Sequence, residues 1–361
     1  EGPVIYVPDA SRSVGVATAL MSDQADDYLQ KLASDYELVR ERHANRRQTP
    51  LMSLEHARAH RPAIDWSNYV PPRPKFIGRR EFRNYDLAEI ARFIDWTPFF
   101  QTWSLFGQYP AILDDKVVGE QARKLFADAQ VMLKKIIDGR WLTASGVVAF
   151  YPANTVNHED IELYTDDSRC EVLFTWRNLR QQQEKREGID YKSLADYIAP
   201  KESGVADYIG MFAVTGGLGI EAHEKRFVDE GDDYSAIMLK ALGDRFAEGF
   251  AECMHARVRR DLWGYAADED LDNEALIAEK YQGIRPAPGY PACPEHVVKE
   301  DMFRVMRPEE VGMKLTDSYA MYPASSVSGF YISHPMSQYF NVGNIDTHQL
   351  HDYIRRSRRS H

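Results

Sequence analysis

The longest helix of this chain is predicted by residues 232–263, DDYSAIMLKALGDRFAEGFAECMHARVRRDLW. Apolar or small residues recur in this stretch with the period of 3.6 residues that places them on one face of an α-helix. They occupy positions 238, 242, 246, 249, 250 and 253. The stretch therefore predicts an amphipathic helix with one buried face.

Strand patterns lie on both sides of this helix. Runs rich in β-branched and aromatic residues predict strands. These runs cover 146–151, 161–164, 171–174, 207–214, 318–322, 329–333 and 340–345. Two further helical patterns cover 87–93 and 116–137. Because the strands come in groups and the helices are long, without regular strand–helix–strand alternation, the sequence predicts an α+β fold. We expect a twisted, largely antiparallel sheet with long flanking helices.

The first 80 residues have patterns of their own. Val4–Val7 predicts a short strand, and residues 23–43 predict a charged helix after a polar turn and a run of small residues. One strand and one helix cannot bury their apolar faces alone, so we expect residues 1–43 to be the terminal βα fragment of a doubly wound domain. Residues 44–80 contain five prolines and predict an irregular linker arm, which leaves 81–361 as the folded body.

Composition excludes several classes of protein. The chain has 361 residues, of which 44% are hydrophobic, and this is enough for a substantial core. No apolar run approaches the roughly 18 residues that span a bilayer, and the start of the chain does not resemble a secretion signal. The three cysteines, at scattered spacing, do not suggest a disulfide framework or a zinc site. We expect a cytoplasmic protein without a membrane partner.

Charge is distributed unevenly along the chain. The formal net charge is −11, yet residues 40–83 carry eleven Lys and Arg against four Asp and Glu. Such a basic segment could bind nucleic acid, but it lacks interleaved aromatic residues and a nucleic-acid-binding motif. A solvated linker between acidic bodies explains the charge better, so we expect no nucleic-acid partner.

The most distinctive loop is Arg285–His296, RPAPGYPACPEH. Its four prolines exclude a helix interior or a central strand and preset an extended shape. Gly289 would allow a ligand to approach the backbone, and Arg285 offers a planar fork to a carboxylate or phosphate. From composition alone, a rigid ligand-binding loop and a stiff surface turn are equally good explanations.

This loop, together with Gln282–Ile284 before it, resembles the signature loop of the C-terminal activation domain of cobalamin-dependent methionine synthases. Further blocks similar to that family follow in the expected order: IDWTPFF at 94–100, TWSL at 102–105, ADYIG at 206–210, FAVTGG at 212–217, DDY at 232–234, MKLT at 313–316 and SVSG at 326–329. The resemblance implies an S-adenosylmethionine-binding domain of a methyltransferase. In the family, this domain supports the reductive remethylation of cobalamin that has lapsed to the cob(II) state, and so sustains methionine synthesis from homocysteine and methyltetrahydrofolate.

The resemblance also implies a set of ligand contacts. Arg285 would bind the ligand carboxylate, Asp95 and Glu248 its ammonium group, and Tyr339 and Phe340 its adenine ring. Ala287, Gly289 and Tyr290 would contact the ligand from the loop, and Glu279 and His296 would lie near the transferred methyl group. Most of these residues also have a simpler explanation: a surface ion pair for Arg285, a helix cap for Asp95, a solvated helix face for Glu248 and a core pair for Tyr339 and Phe340. For Glu279 and His296, a structural role behind the site is an equally good explanation. Cys293 and His296 resemble half of a metal site, but without a second pair we expect no metal.

Partners follow from the same resemblance. Residues 1–43 would be the end of the cobalamin-binding domain, with Ala10 at the corrin, and the chain would stop short of the family's closing helix. The cobalt-ligating Asp-x-His-x-x-Gly motif is absent, so we expect cobalamin and zinc only in the complete enzyme and no turnover of homocysteine by this chain alone. The electron donor would be flavodoxin or a flavoprotein reductase. The alternatives are an independent small-molecule enzyme with a Glu/His acid–base pair, and a scaffold that binds nucleic acid.

Overall fold

The computed structural model describes residues 4–7, 10–23, 25–44 and 49–357. The chain divides into two compact units, Glu1–Pro50 and Leu51–His361. In the first unit, α1 (Ala10–Leu20) is followed by α2 (Ala25–Ala44), which corresponds to the predicted charged helix. The strand predicted at Val4–Val7 is not formed. No described strand of this unit could pair with its backbone, and an isolated strand leaves its N–H and C=O groups without partners.

The second unit is built on a six-stranded antiparallel sheet, with the strand order β4-β3-β2-β5-β8. Its strands are β1 (Gly78–Tyr85), β2 (Thr143–Val156), β3 (Asp160–Tyr164), β4 (Val172–Arg177), β5 (Asp207–Leu218) and β8 (Ser326–Tyr331). β1 and β3 pair with successive parts of β2, residues 144–150 and 153–156. The short strands β6 (Lys314–Leu315) and β7 (Met321–Tyr322) form a separate hairpin. The predicted α+β class with a largely antiparallel sheet is confirmed.

Helices flank this sheet. They are α3 (Leu54–Ala59), α4 (Leu87–Ala91), α5 (Thr97–Thr102), α6 (Gly119–Gly139), α7 (Ile220–Asp229), α8 (Asp233–Arg257), α9 (Asn273–Ile277), α10 (Val298–Met306) and α11 (Thr347–Ser357). The predicted helix 232–263 forms α8, with Asp232 accepting the Ser235 N–H at its start. It continues into a π-helical turn at Val258–Leu262. None of the described helices has the length and apolar content of a membrane span.

Both faces of the sheet are covered. On β2, Val148 and Phe150 face a core that contains Phe246 of α8. The alternate residues Val147 and Ala149 face a second core, which contains Met302 of α10. Successive strand residues point to opposite faces, so a sheet covered on both sides buries every position. This explains why β5 is buried almost throughout its length without an alternating pattern.

Two predictions from the sequence differ from the structure. The segment 44–80, predicted to be irregular, contains α3 and the start of β1. The prolines of the segment 44–80 lie outside α3, and Ser53 caps that helix by accepting the His56 N–H. The strand predicted at 340–345 is absent. Val342 donates a backbone hydrogen bond to Pro291 (2.9 Å), but a ladder cannot continue there because proline has no N–H to donate.

Candidate functional site

Two adjoining cavities lie between α8, the Arg285–His296 loop and the segment around Tyr339. The polar cavity has a volume of about 290 Å³ and the apolar cavity a volume of about 500 Å³. Glu248, Glu279 and Arg285 line both cavities. Of the other predicted residues, Asp95 lines the polar cavity, whereas the apolar cavity is lined by Ala287, Tyr290, Tyr339 and Phe340. The fold thus brings residues as distant in the sequence as Asp95 and Phe340 to the same pair of cavities.

The loop is fixed to the end of β8. Ile284 and Ile332 exchange two backbone hydrogen bonds of 2.9 and 3.0 Å, and the Phe330 N–H donates to the Pro286 carbonyl at 2.9 Å. Proline takes part here as an acceptor, so its missing N–H does not matter. Gly329 makes the close approach possible, because a Cβ at this position would lie 2.7 Å from the Pro286 oxygen. The loop is therefore held rigidly beside the cavities.

Gly289 and His296 lie next to each other in this loop, outside the lining of the two cavities. Gly289 has a φ of +96°, a left-handed conformation that favours glycine, and a side chain there would collide with the His296 ring. Neither residue is among those that line the two cavities, and His296 is exposed. The imidazole packs on the glycine backbone and supports the turn in this structure.

The Arg285 guanidinium contacts three side chains at the site. Its Nη2 lies 2.6 Å from the Glu252 carboxylate, and its Nη1 donates to the Tyr281 hydroxyl at 3.1 Å and to His255 Nδ1 at 3.2 Å. Burial disfavours the guanidinium charge, but the Glu252 carboxylate together with Tyr281 and Tyr339 outweighs this effect and raises the pKa of Arg285. Arg285 thus forms an ion pair and also lines both cavities as a cation.

Carboxylates dominate the polar cavity. Asp95, Glu248, Glu252 and Glu279 line it together with Arg245 and Arg285, which gives four negative and two positive charges, a net of −2. Asp95 accepts the Thr97 N–H (2.9 Å) at the start of α5 through Oδ1, but the N-cap position of this helix is Trp96, so the predicted cap is not formed by Asp95. Such a site favours a ligand with a net positive charge.

The apolar cavity has aromatic walls. Phe212, Tyr290, Tyr339 and Phe340 line it, with Tyr290 57% exposed at its mouth. The Tyr339 hydroxyl accepts the Arg285 backbone N–H at 2.9 Å and lies 3.2 Å from the Tyr281 hydroxyl. These bonds orient Tyr339, which lies next to the predicted strand 340–345 that is absent from the structure. The walls suit a flat heteroaromatic ring.

Sequence reasoning missed several residues of the site. Arg245 and Glu252 lie three residues before and four residues after Glu248, so helical spacing could have placed all three on one face of α8. His255 and Tyr281 carry no comparable signal, because their contacts with Arg285 arise from tertiary structure. Within the described residues, no group of three or more His, Cys, Asp or Glu side chains is arranged to hold a metal ion.

Two comparisons with known proteins show a similarity to one family. The sequence model of the family "Vitamin B12 dependent methionine synthase, activation domain" matches residues 86–358. A crystal structure of the MetH reactivation domain bound to AdoHcy is similar to this chain, with 51% sequence identity and a TM-score of 0.82. The match covers 85% of this chain and 94% of that one.

Proposed function

Because the chain belongs to the activation-domain family of vitamin B12-dependent methionine synthases, we propose that its two adjoining cavities bind S-adenosylmethionine. One observation carries the proposal: Arg285, Glu248 and Glu279 line both a polar cavity and an aromatic one. A single ligand with a zwitterionic end and a heteroaromatic end fits this arrangement. The similar reactivation domain was crystallised with AdoHcy, which has the same two ends.

Each end of the ligand has complementary groups. The ligand carboxylate binds Arg285, and its ammonium group binds Asp95 and Glu248, both of which line the polar cavity. The adenosyl group occupies the apolar cavity against Tyr339 and Phe340. Glu279 lines both cavities, so it lies where the sulfonium charge would be. The net charge of −2 in the polar cavity is complementary to the net +1 charge of S-adenosylmethionine.

The chain acts as part of a methyltransferase, and its partner is the cobalamin-binding domain of the same protein. Cobalamin bound on that domain would supply, once reduced, the nucleophile that accepts the methyl group. The residues described here bind the methyl donor, orient it and hold it against the rigid Arg285–His296 loop. Their contribution to the reaction is positioning.

Titration calorimetry with S-adenosylmethionine tests the proposal directly. We expect the chain to bind the ligand without cobalamin, and Arg285→Ala to weaken binding by about 2 kcal/mol, roughly 30-fold, because a charge-assisted contact is lost. Arg304→Ala is the matched control, since Arg304 is an exposed arginine on α10 and lines neither cavity. Unchanged affinity of a folded Arg285→Ala variant would show that the ligand lies elsewhere.

For the electron donor we propose flavodoxin or a flavoprotein reductase in the cytoplasm, as the family resemblance implies. The three cysteines are free, which suits a reducing compartment. We expect the complete enzyme, prepared in the cob(II) state, to regain activity when S-adenosylmethionine is combined with either reduced protein. If neither donor restores activity while a chemical reductant does, the assigned class of donor is wrong.

A further inference from the structure

His255 lies behind Arg285, on the last turns of α8, and is fully buried. Its ring lies nearly parallel to that of Tyr331 (centroids 5.2 Å apart, 19° between planes) and edge-on to that of Tyr281. It lines neither cavity, so it would not touch a ligand directly. Its connection with the site is the 3.2 Å contact between its Nδ1 and Nη1 of Arg285.

The partners of this imidazole define its protonation state. A guanidinium can only donate hydrogen bonds, so Nδ1 of His255 must be the unprotonated acceptor. Nε2 then carries the proton and donates to the Tyr265 hydroxyl at 3.3 Å. Burial, with the charges of Arg259 and Arg285, lowers the pKa of His255 well below its ordinary value. The histidine is therefore neutral at physiological pH.

A count of donors shows what this contact leaves free on Arg285. The guanidinium has five N–H groups. The two on Nη1 have acceptors in His255 and Tyr281, and Nη2 forms the 2.6 Å ion pair with the Glu252 carboxylate. Among the residues that the structure describes, none accepts a hydrogen bond from Nε, so Nε and the second N–H of Nη2 can form a bidentate fork to a carboxylate.

We propose that His255 is a positioning residue that, with Tyr281, holds Arg285 so that this free fork faces the ligand carboxylate. The inference rests on the proposed binding of S-adenosylmethionine. A neutral acceptor suits this task because it orients the guanidinium without neutralising it. A second carboxylate in the place of His255 would compete with the ligand for the same cation.

The test compares two ligands on three proteins by calorimetry. One ligand is S-adenosylmethionine, and the other is its decarboxylated form, which keeps the sulfonium and the ammonium group but cannot use the fork. We expect His255→Phe, which keeps a ring against Tyr331, to lose about tenfold in affinity for S-adenosylmethionine, the scale of coupling between contacting groups. Its affinity for the decarboxylated ligand should stay within about twofold of wild type. His255→Asn keeps an acceptor atom in the position of Nδ1 and should restore most of the loss.

Equal losses for both ligands would show general damage to the site, and no loss would show that His255 does not orient Arg285; either result overturns the inference. A wild-type chain that fails to bind S-adenosylmethionine contradicts the proposed function instead. Circular dichroism checks the folding of each variant. If His255→Phe does not fold, Tyr281→Phe removes the other Nη1 acceptor and must show the same selective loss, or the inference fails.

Discussion

His334 illustrates how burial changes the chemistry of one residue. Only 4% of it is exposed, its Nδ1 accepts the Met336 N–H at 3.1 Å, and its ring packs against Trp66 and Tyr69. Burial lowers the pKa of His334 to about 4. The folded protein therefore keeps His334 neutral at pH values where the unfolded chain would protonate it.

This pKa difference predicts acid sensitivity. Between about pH 6.5 and pH 4, the unfolded state binds a proton that the folded state does not, so the free energy of unfolding should fall as the pH is lowered through this window. We expect the contribution of His334 to be on the order of 2 kcal/mol, because each unit of pKa difference corresponds to about 1.4 kcal/mol. His334→Asn can still accept the Met336 N–H but does not titrate, so its unfolding free energy should fall less between pH 7 and pH 4.5.

Urea denaturation of both proteins at these two pH values measures the difference, and the shared contribution of all other titrating groups cancels in it. Parallel losses of stability in the two proteins would show that His334 is protonated in the folded state. His348→Asn is a suitable control, because this histidine is exposed and its side chain is 62% accessible.

Arg285 shows how two explanations of one residue can be compatible. The sequence alone allowed a surface ion pair or a ligand contact. The structure contains the ion pair, with Glu252 at 2.6 Å, and also places the guanidinium at both cavities. The five donors of arginine make this possible, since one carboxylate does not exhaust them.

At the scale of elements, α8 does most to position the site. One face of it packs on the sheet through Leu239 and Phe246, and another carries Arg245, Glu248 and Glu252 to the polar cavity. The apolar period of the sequence identified the first face, because burial of apolar residues is what creates the pattern. The charged face had no such signal, since solvated helix faces also carry Glu and Arg.

The Arg285–His296 loop was predictable for a different reason. Its prolines and Gly289 restrict the backbone locally, whatever the rest of the fold does. What it contacts could not be read from it. Ile284 pairs with Ile332 and Pro286 with Phe330, at the end of β8, and the two residues of each pair are more than forty positions apart in the sequence.

At the scale of the whole molecule, the two compact units suggest a clean experiment. Every residue that lines the two cavities lies between Phe93 and Asn341, within the unit Leu51–His361. We therefore expect a protein of residues 51–361 to fold and to bind S-adenosylmethionine within about twofold of the full chain, because no cavity contact is removed. Calorimetry and thermal unfolding measure both properties.

Loss of binding in that shorter protein, with folding intact, would show that the first fifty residues contribute to the site. Preserved binding would agree with our proposal that residues 1–43 are the end of a cobalamin-binding domain, followed by a linker arm over 44–80. The predicted corrin contact of Ala10, the first residue of α1, stays a prediction, because its side chain lies outside the described residues.

The sequence by itself determined the α+β class, the long α8, the antiparallel strands and the family to which the chain belongs. Local periodicity and short motifs predict these features, because they depend mainly on residues that are close together in the sequence. Only the tertiary structure decided that α3 forms within a proline-rich segment and that 340–345 is not a strand. It also decided that Glu252 and His255 contact Arg285. Such features depend on which distant groups supply hydrogen bonds and on which charges remain unpaired after folding, and no local pattern encodes that choice.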